Sequence, residues 1–364
     1  RAGQPGRGSS RLRSPGPESV RTFGHVMAYP RLWLLLGLLP LTAAATATVA
    51  GIEIGLFIVG LFLFVDVLDR QAALYIAALV ISPAVMLCFE RGNNDLVAFF
   101  LLACALAIIP RSRLFALLLV ELAAFLKLYP IVALGWLLRE SRRALVLWAS
   151  AGLAVFALYA AFTRHDIRQI LALAPKGVGF NYGPTVLGIW AYDLSGSRPL
   201  GDVLFVLSYL VAFVLLVAVL YRTDRDGWIF PTSNPRLIDA FRIGALIYLG
   251  TFLQGNTWNY RLVFLIFTVP QLVDWMHAAQ PASRRVAGIT LGFVLLSAWS
   301  PLLGAVEPPA AALLPTFQLL VDELFNWALL ACLAYLLIAS FPQWIRSEIA
   351  LFFSKYRRVL RLPA

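Results

Sequence analysis

Long apolar stretches separated by short polar turns dominate the chain. They run from Arg31 to Ala47, Val49 to Leu68, Ala72 to Cys88, Leu96 to Ile109, Leu114 to Leu138, Ala144 to Phe162, Leu200 to Tyr221, Ile243 to Leu253, Leu262 to Trp275, Val286 to Leu303 and Phe317 to Phe341. Several approach the roughly 20 residues that a helix needs to cross about 30 Å of hydrocarbon. Runs of this length exclude a β-barrel, whose strands need only about ten residues of alternating polarity. The pattern predicts an all-α, polytopic helical membrane protein with about ten or eleven membrane segments, filling residues 28–345.

Composition agrees. Of 364 residues 60% are hydrophobic and only 13% charged, against about 25% charge in an ordinary soluble domain. The net charge of +11 raises nucleic acid as a partner, but the basic residues fall in short clusters between apolar runs and no aromatic-basic stripe accompanies them. They read as orientation signals, so membrane lipids are expected as partners and nucleic acid is not. Residues 1–27, rich in Gly, Pro, Ser and Arg, are predicted to be disordered. Cys88, Cys104 and Cys332 sit inside apolar runs without metal-ligand spacing and are expected to serve packing or face lipid.

Short cytoplasmic loops collect Lys and Arg. This places Arg111 with Arg113, Arg139 with Arg142 and Arg143, Arg222 with Arg225 and Arg236, Arg284 with Arg285, and the basic tail of residues 346–364 in the cytoplasm. Alternation then fails only between Arg113 and Arg139, both ends of which are basic. Leu114 to Lys127 makes ~21 Å of helix, too short to cross alone, and Pro130 breaks it. A buried re-entrant hairpin satisfies both ends, because non-helical backbone at membrane depth is tolerated only inside protein or along a cavity. The turns at Tyr29–Arg31, Glu90–Asp95, Lys176–Gly183 and Gln254–Arg261 then share the outer face.

Those turns carry the candidate chemistry. In Glu90-Arg91-Gly92-Asn93-Asn94-Asp95, Asp95 or Glu90 suits a base or sugar-hydroxyl acceptor and Arg91 a phosphate; alternatively Asp95 caps the next helix and Glu90 pairs with Arg91. Lys127, followed by Leu128, Tyr129 and Pro130, is an ammonium at the hairpin tip, where charge is costly and marks function. It faces an anionic lipid phosphate, or it snorkels or pairs with Glu121. Asn256, Thr257, Trp258, Asn259, Tyr260 and Arg261 combine aromatic faces, amides and a guanidinium, a mixture suited to carbohydrate. Arg164 to Pro199 is read as a long outer loop holding Asn181 and Tyr182, which either covers a groove or connects helices. Asp322-Glu323 reads as charge at a helix N-terminus. No motif for zinc, nucleotide-phosphate or serine-hydrolase chemistry is found.

With these motifs in this order, from Tyr29-Pro30-Arg31 through the ERGNND, LKLYP and NTWNYR turns, the chain resembles GT-C superfamily membrane glycosyltransferases, nearest to family 87, the mannosyltransferase-like group. The resemblance implies transfer of a hexose from a polyprenyl-phosphate donor to a lipid glycan or cell-envelope acceptor at the outer face of the bacterial inner membrane, with no cofactor and no strict need for metal. It puts Lys127 and Arg261 on donor phosphate and Asn93, Asn94, Asn256, Trp258 and Asn259 around sugar. The family's usual base, an acid after the first span, has no counterpart here. Either it lies upstream of residue 1, or Asp95 or Glu90 replaces it, or the chain as given is inactive. A lipid or sugar transporter or flippase, and a non-catalytic membrane subunit, are the rival readings; the transporter would be built on internal repeats, which the sequence does not show.

Overall fold

The computed structural model describes residues 30, 32–33, 43–65, 69–173, 176–226, 234–278, 280–305 and 314–360. The expectations for residues 1–27, for Tyr29 and Arg31, and for most of Arg31 to Ala47 fall outside them. The described protein is helical apart from two two-residue strands. In chain order the elements are α1 (Thr46–Val65), α2 (Arg70–Val80), α3 (Pro83–Glu90), α4 (Asp95–Ile108), α5 (Arg113–Lys127), a 3-10 helix (Tyr129–Arg139), α6 (Arg142–Phe162), α7 (Arg164–Leu173), β1 (Asn181–Tyr182), α8 (Val186–Ser195) and α9 (Arg198–Asp226). Then follow α10 (Pro235–Leu253), β2 (Thr257–Trp258), a second 3-10 helix (Asn259–Thr268), α11 (Val269–Met276), α12 (Pro281–Trp299), α13 (Leu302–Ala305), α14 (Leu314–Ala339) and α15 (Gln343–Leu360).

Among the described residues four helices, α1, α6, α9 and α14, are long and apolar enough to cross a membrane, and α2 with α3 make a fifth if a bend of 58° is allowed within one span. The bend has a local cause. The Ser82 hydroxyl donates to the Leu79 carbonyl at 2.6 Å, closing α2, and accepts from the Val85 amide, capping α3, while Pro83 occupies the first turn. The other helices are shorter, broken or, like the 19-residue α10 and α12, not apolar enough. Apolarity in this chain serves two ends, and the count of runs does not separate them: α10 and the helix Asn259–Thr268 are buried along most of their length, whereas Gly152 is the one buried residue among those described in α6. Arg164 to Pro199 is not one loop but α7, β1 and α8.

The segment from Arg113 to Arg139 doubles back. Leu128 takes a left-handed φ of 63°, ending α5, and Pro130 starts the 3-10 helix. At 1.5 and about 2 Å per residue the two arms are each ~22 Å long, so they finish level. Arg113 and Glu140, at the two ends, form an ion pair of 3.0 Å. At that same end Arg139 and Arg242 both face Asp239, and Arg242 donates to the Ser340 carbonyl, tying hairpin, α10 and α14 together. Behind the hairpin an aromatic seam of Phe57, Phe99 and Phe267, the last two stacked at 4.4 Å, joins α1, α4 and the second 3-10 helix.

With the native cysteines replaced by alanine, Arg113→Cys and Glu140→Cys together should be bridged within one chain by a short bifunctional maleimide, read by mass spectrometry of the digest. Only monofunctional adducts at the two positions would mean that the arms do not return to one level.

Candidate functional site

At the opposite end of the hairpin, three turns meet. Gly92, with φ +49°, lets the chain leave α3 and lets α1 approach, since a Cβ there would stand 3.0 Å from that of Ala50. The Asn93 side chain then accepts from the Asp95 amide at 3.0 Å and takes over the start of α4. Asp95 is thereby released from capping. Its carboxylate accepts instead from Lys127 Nζ at 2.9 Å and from the Tyr129 hydroxyl at 2.8 Å, and Lys127 donates also to Asn93 Oδ1 at 3.1 Å. Asp95 is fully buried and the Lys127 side chain is 7% exposed. Each charge is tolerable there only because of the other.

The third turn is held by a two-stranded ladder in which Asn181 pairs with Trp258 and Tyr182 with Thr257. Gly183 and Gly255, at φ +123° and +116°, make it possible, because a Cβ on Gly183 would meet the Gly255 carbonyl at 2.4 Å. Asn256 spends its amide on the ladder, bonding both polar backbone atoms of Gly177 and the Asn181 side chain. Tyr182 is likewise a buried support, stacked on Tyr248 at 5.4 Å and bonded to Thr251.

What the ladder presents is a column of cations and rings. The exposed Arg91 guanidinium lies 4.5 Å from the Trp258 ring, Trp258 is nearly parallel to Tyr260 at 6.2 Å, Lys127 Nζ lies 5.9 Å from Tyr260, and the Arg261 guanidinium 4.7 Å from Tyr129. Such contacts hold cations over ring faces while leaving their N–H edges to other acceptors. Around the column, buried polar atoms stand without hydrogen-bond partners: Asn94 Oδ1, Asp95 Oδ2, Glu53 Oε2, Asn181 Oδ1, Arg261 Nε and both amide atoms of Asn259. Buried polar groups are nearly always bonded in native proteins, so a concentration of this kind marks a place built for a polar ligand.

The expected residues are therefore gathered, with changes of role. Asn93, Asn94, Asp95, Lys127, Tyr129, Trp258, Asn259, Tyr260, Arg261 and Arg91 meet around this column, while Asn181, Asn256 and Tyr182 build its support. Glu90 does not join them. It is exposed at the end of α3 and makes no hydrogen bond or ion pair among the described residues. Glu121 is not the partner of Lys127 either; its carboxylate packs against Gly152 of α6. Three acids are overlooked or misread from spacing. Glu53, buried in α1, lies 3.8 Å from the point a Gly92 Cβ would occupy and interacts electrostatically with Lys127 and Asp95. Asp322 and Glu323 lie eight and nine residues inside α14 and are buried, so they are not N-terminal charges. The available signal was a carboxylate inside an apolar run, which is costly enough to demand a reason.

Lys127→Met should cost about 3–5 kcal/mol by leaving Asp95 charged and unpaired, read as a lower melting temperature of the detergent-purified protein. The double variant with Asp95→Leu should recover part of it. A loss of about 0–1 kcal/mol, typical of exposed pairs, would remove the pair from this role. No protein-family model, curated protein or solved structure matches the chain.

Proposed function

We propose that this chain is a polytopic membrane glycosyltransferase of the GT-C kind that its motifs resemble. It takes a mannose-like hexose from a polyprenyl-phosphate donor and passes it to a lipid glycan or cell-envelope acceptor at the extracytoplasmic face of the bacterial inner membrane, its C-terminus lying in the cytoplasm. The observation that carries the reading is the group of buried, unpartnered polar atoms beside the Arg91–Trp258–Tyr260–Lys127 column. Cations set over aromatic rings suit a phosphate attached to a sugar, since the rings offer faces to sugar C–H groups and the cations offer N–H edges to phosphate oxygens.

In this reading Lys127 and Arg261 hold the donor phosphate, and Arg91 meets it at the exposed rim. Trp258 supports the sugar ring, with Asn94 as a hydroxyl partner. Asp95 keeps Lys127 and Tyr129 in place and is a positioning residue. Glu53, the more accessible of the two buried acids and free at one oxygen, takes the proton of the attacking acceptor hydroxyl. The acceptor oxygen bonds to the anomeric carbon, the bond from that carbon to the phosphate oxygen breaks, and its electron pair leaves with the polyprenyl phosphate beside the cations.

The test uses the purified full chain with undecaprenyl phosphate and undecaprenyl-phosphate mannose as probes. Arg91→Ala should weaken binding of both by about tenfold, the equivalent of about 1.4 kcal/mol, whereas Trp258→Ala should weaken only the mannose-bearing probe. Failure of the unaltered protein to bind either probe, or equal loss of both with Trp258→Ala, would overturn the assignment.

A further inference from the structure

Asp322 and Glu323 form a second buried polar cluster that the proposed transfer does not use. They are neighbours in α14, 8% and 3% exposed, in a helix otherwise apolar enough to cross a membrane. Asp95 and Asp239 each face a buried or half-buried cation. Among the described residues no Lys or Arg contributes to the electrostatics of Asp322 or Glu323. The neighbours are neutral: the Ser300 hydroxyl and the Asn326 amide donate to Asp322, the Trp327 indole N–H donates to Glu323 Oε2 at 3.0 Å, and Tyr248 donates to Asn326. These bonds engage Asp322; the Gly183 backbone amide also faces Glu323, whose Oε1 is buried without a well-formed hydrogen bond.

A second, independent observation points into the same place. Asn259 is fully buried, lies against the Asp322 carboxylate, and has neither its amide nitrogen nor its oxygen in a well-formed hydrogen bond. A carboxylate in apolar surroundings is kept only with a counter-charge or a proton. The atoms on offer, Glu323 Oε1, Asn259 Oδ1, the Asp322 carboxylate and the Ser300 hydroxyl, are all oxygens, which select a hard cation over a soft one. No group of three or more acidic, His or Cys side chains able to hold a metal ion occurs among the described residues; with one proton shared between the two neighbouring carboxyl groups, a single positive charge balances the site.

We propose that Asp322, Glu323 and Asn259 bind a monocation through oxygen atoms, either a free alkali-metal ion or the ammonium group of an amine-bearing ligand. The site stands whether or not the chain transfers sugar.

The purified full chain is melted at fixed pH and equal ionic strength in N-methylglucamine, sodium, potassium or methylammonium chloride. A saturable rise of several degrees with sodium or potassium identifies a free ion as the occupant; a rise with methylammonium alone identifies a ligand amine. Either supports the site, provided that Glu323→Gln abolishes the rise and Asn259→Leu raises the half-saturating concentration about tenfold, or about 1.4 kcal/mol. Should Glu323→Gln not fold, the Asn259→Leu shift decides alone. The proposal is overturned by equal melting in all four salts, by a rise that survives in both variants, or by stability that changes with pH and with no cation.

Discussion

The contact between Lys127 and Asp95 governs much of this molecule. Two charges removed from water gain only if each meets the other with good geometry and with its remaining hydrogen-bonding capacity filled. Here that condition recruits Asn93, Tyr129 and the turn at Gly92, and leaves one carboxylate oxygen, Asp95 Oδ2, without a partner. It fixes where α5 must stop, because Lys127 is its last residue, and it fixes the level of α4, because Asp95 is its first. The hairpin beyond Lys127 then has one way to return, through the left-handed Leu128 into a tight 3-10 helix. At its far end Asp239, facing two arginines, anchors the hairpin to α10 and α14. A pair of buried acid–base contacts, one at each end, thus frames a hairpin whose length is set by chemistry as much as by packing.

The polar turns were legible in the sequence because polar residues between apolar runs have few uses, and the chain places most of them together. The hairpin could be read from charge and length together, since basic residues at both ends of an apolar run broken by Pro130 favour a return to the same side. Other features left no local trace. The partner of Lys127 sits in another helix, and nothing in the spacing prefers Asp95 to Glu121. The 3-10 helices have a period close to that of an α-helix, so their apolar positions look the same in sequence. Glu53 and the Asp322-Glu323 pair were visible as acids among apolar residues, but their burial depends on which face of α1 and α14 meets the rest of the protein. Among the described residues four or five helices are long and apolar enough to span, fewer than the membrane segments expected, because a helix buried along most of its length, such as α10, and one with an apolar exposed surface, such as α6, look alike in sequence.

Asn256 and Tyr182 show a related limit. Both have the chemistry of a sugar contact, and both are committed to holding the strand pair that presents Trp258. Side-chain type indicates what a residue can bond, whereas only geometry shows what has already taken that bond. The converse holds for Asn259, whose buried amide lies against Asp322 but makes no well-formed hydrogen bond. Its backbone amide bonds the Phe180 carbonyl at 2.8 Å, so its place between the cation column and the acidic pair is set by the same ladder.

The hairpin arms, ~22 Å each, are shorter than the ~30 Å of a bilayer's hydrocarbon. In a bilayer such a mismatch is relieved by thinning of the surrounding lipid or by sinking the shorter element below the headgroups. With its far end level with one boundary of the bilayer, the Lys127 tip would lie several ångströms beneath the opposite surface. A lipid carrying a polar head would reach it by lateral movement and a small descent, which limits the penalty of exposing its apolar tail to water.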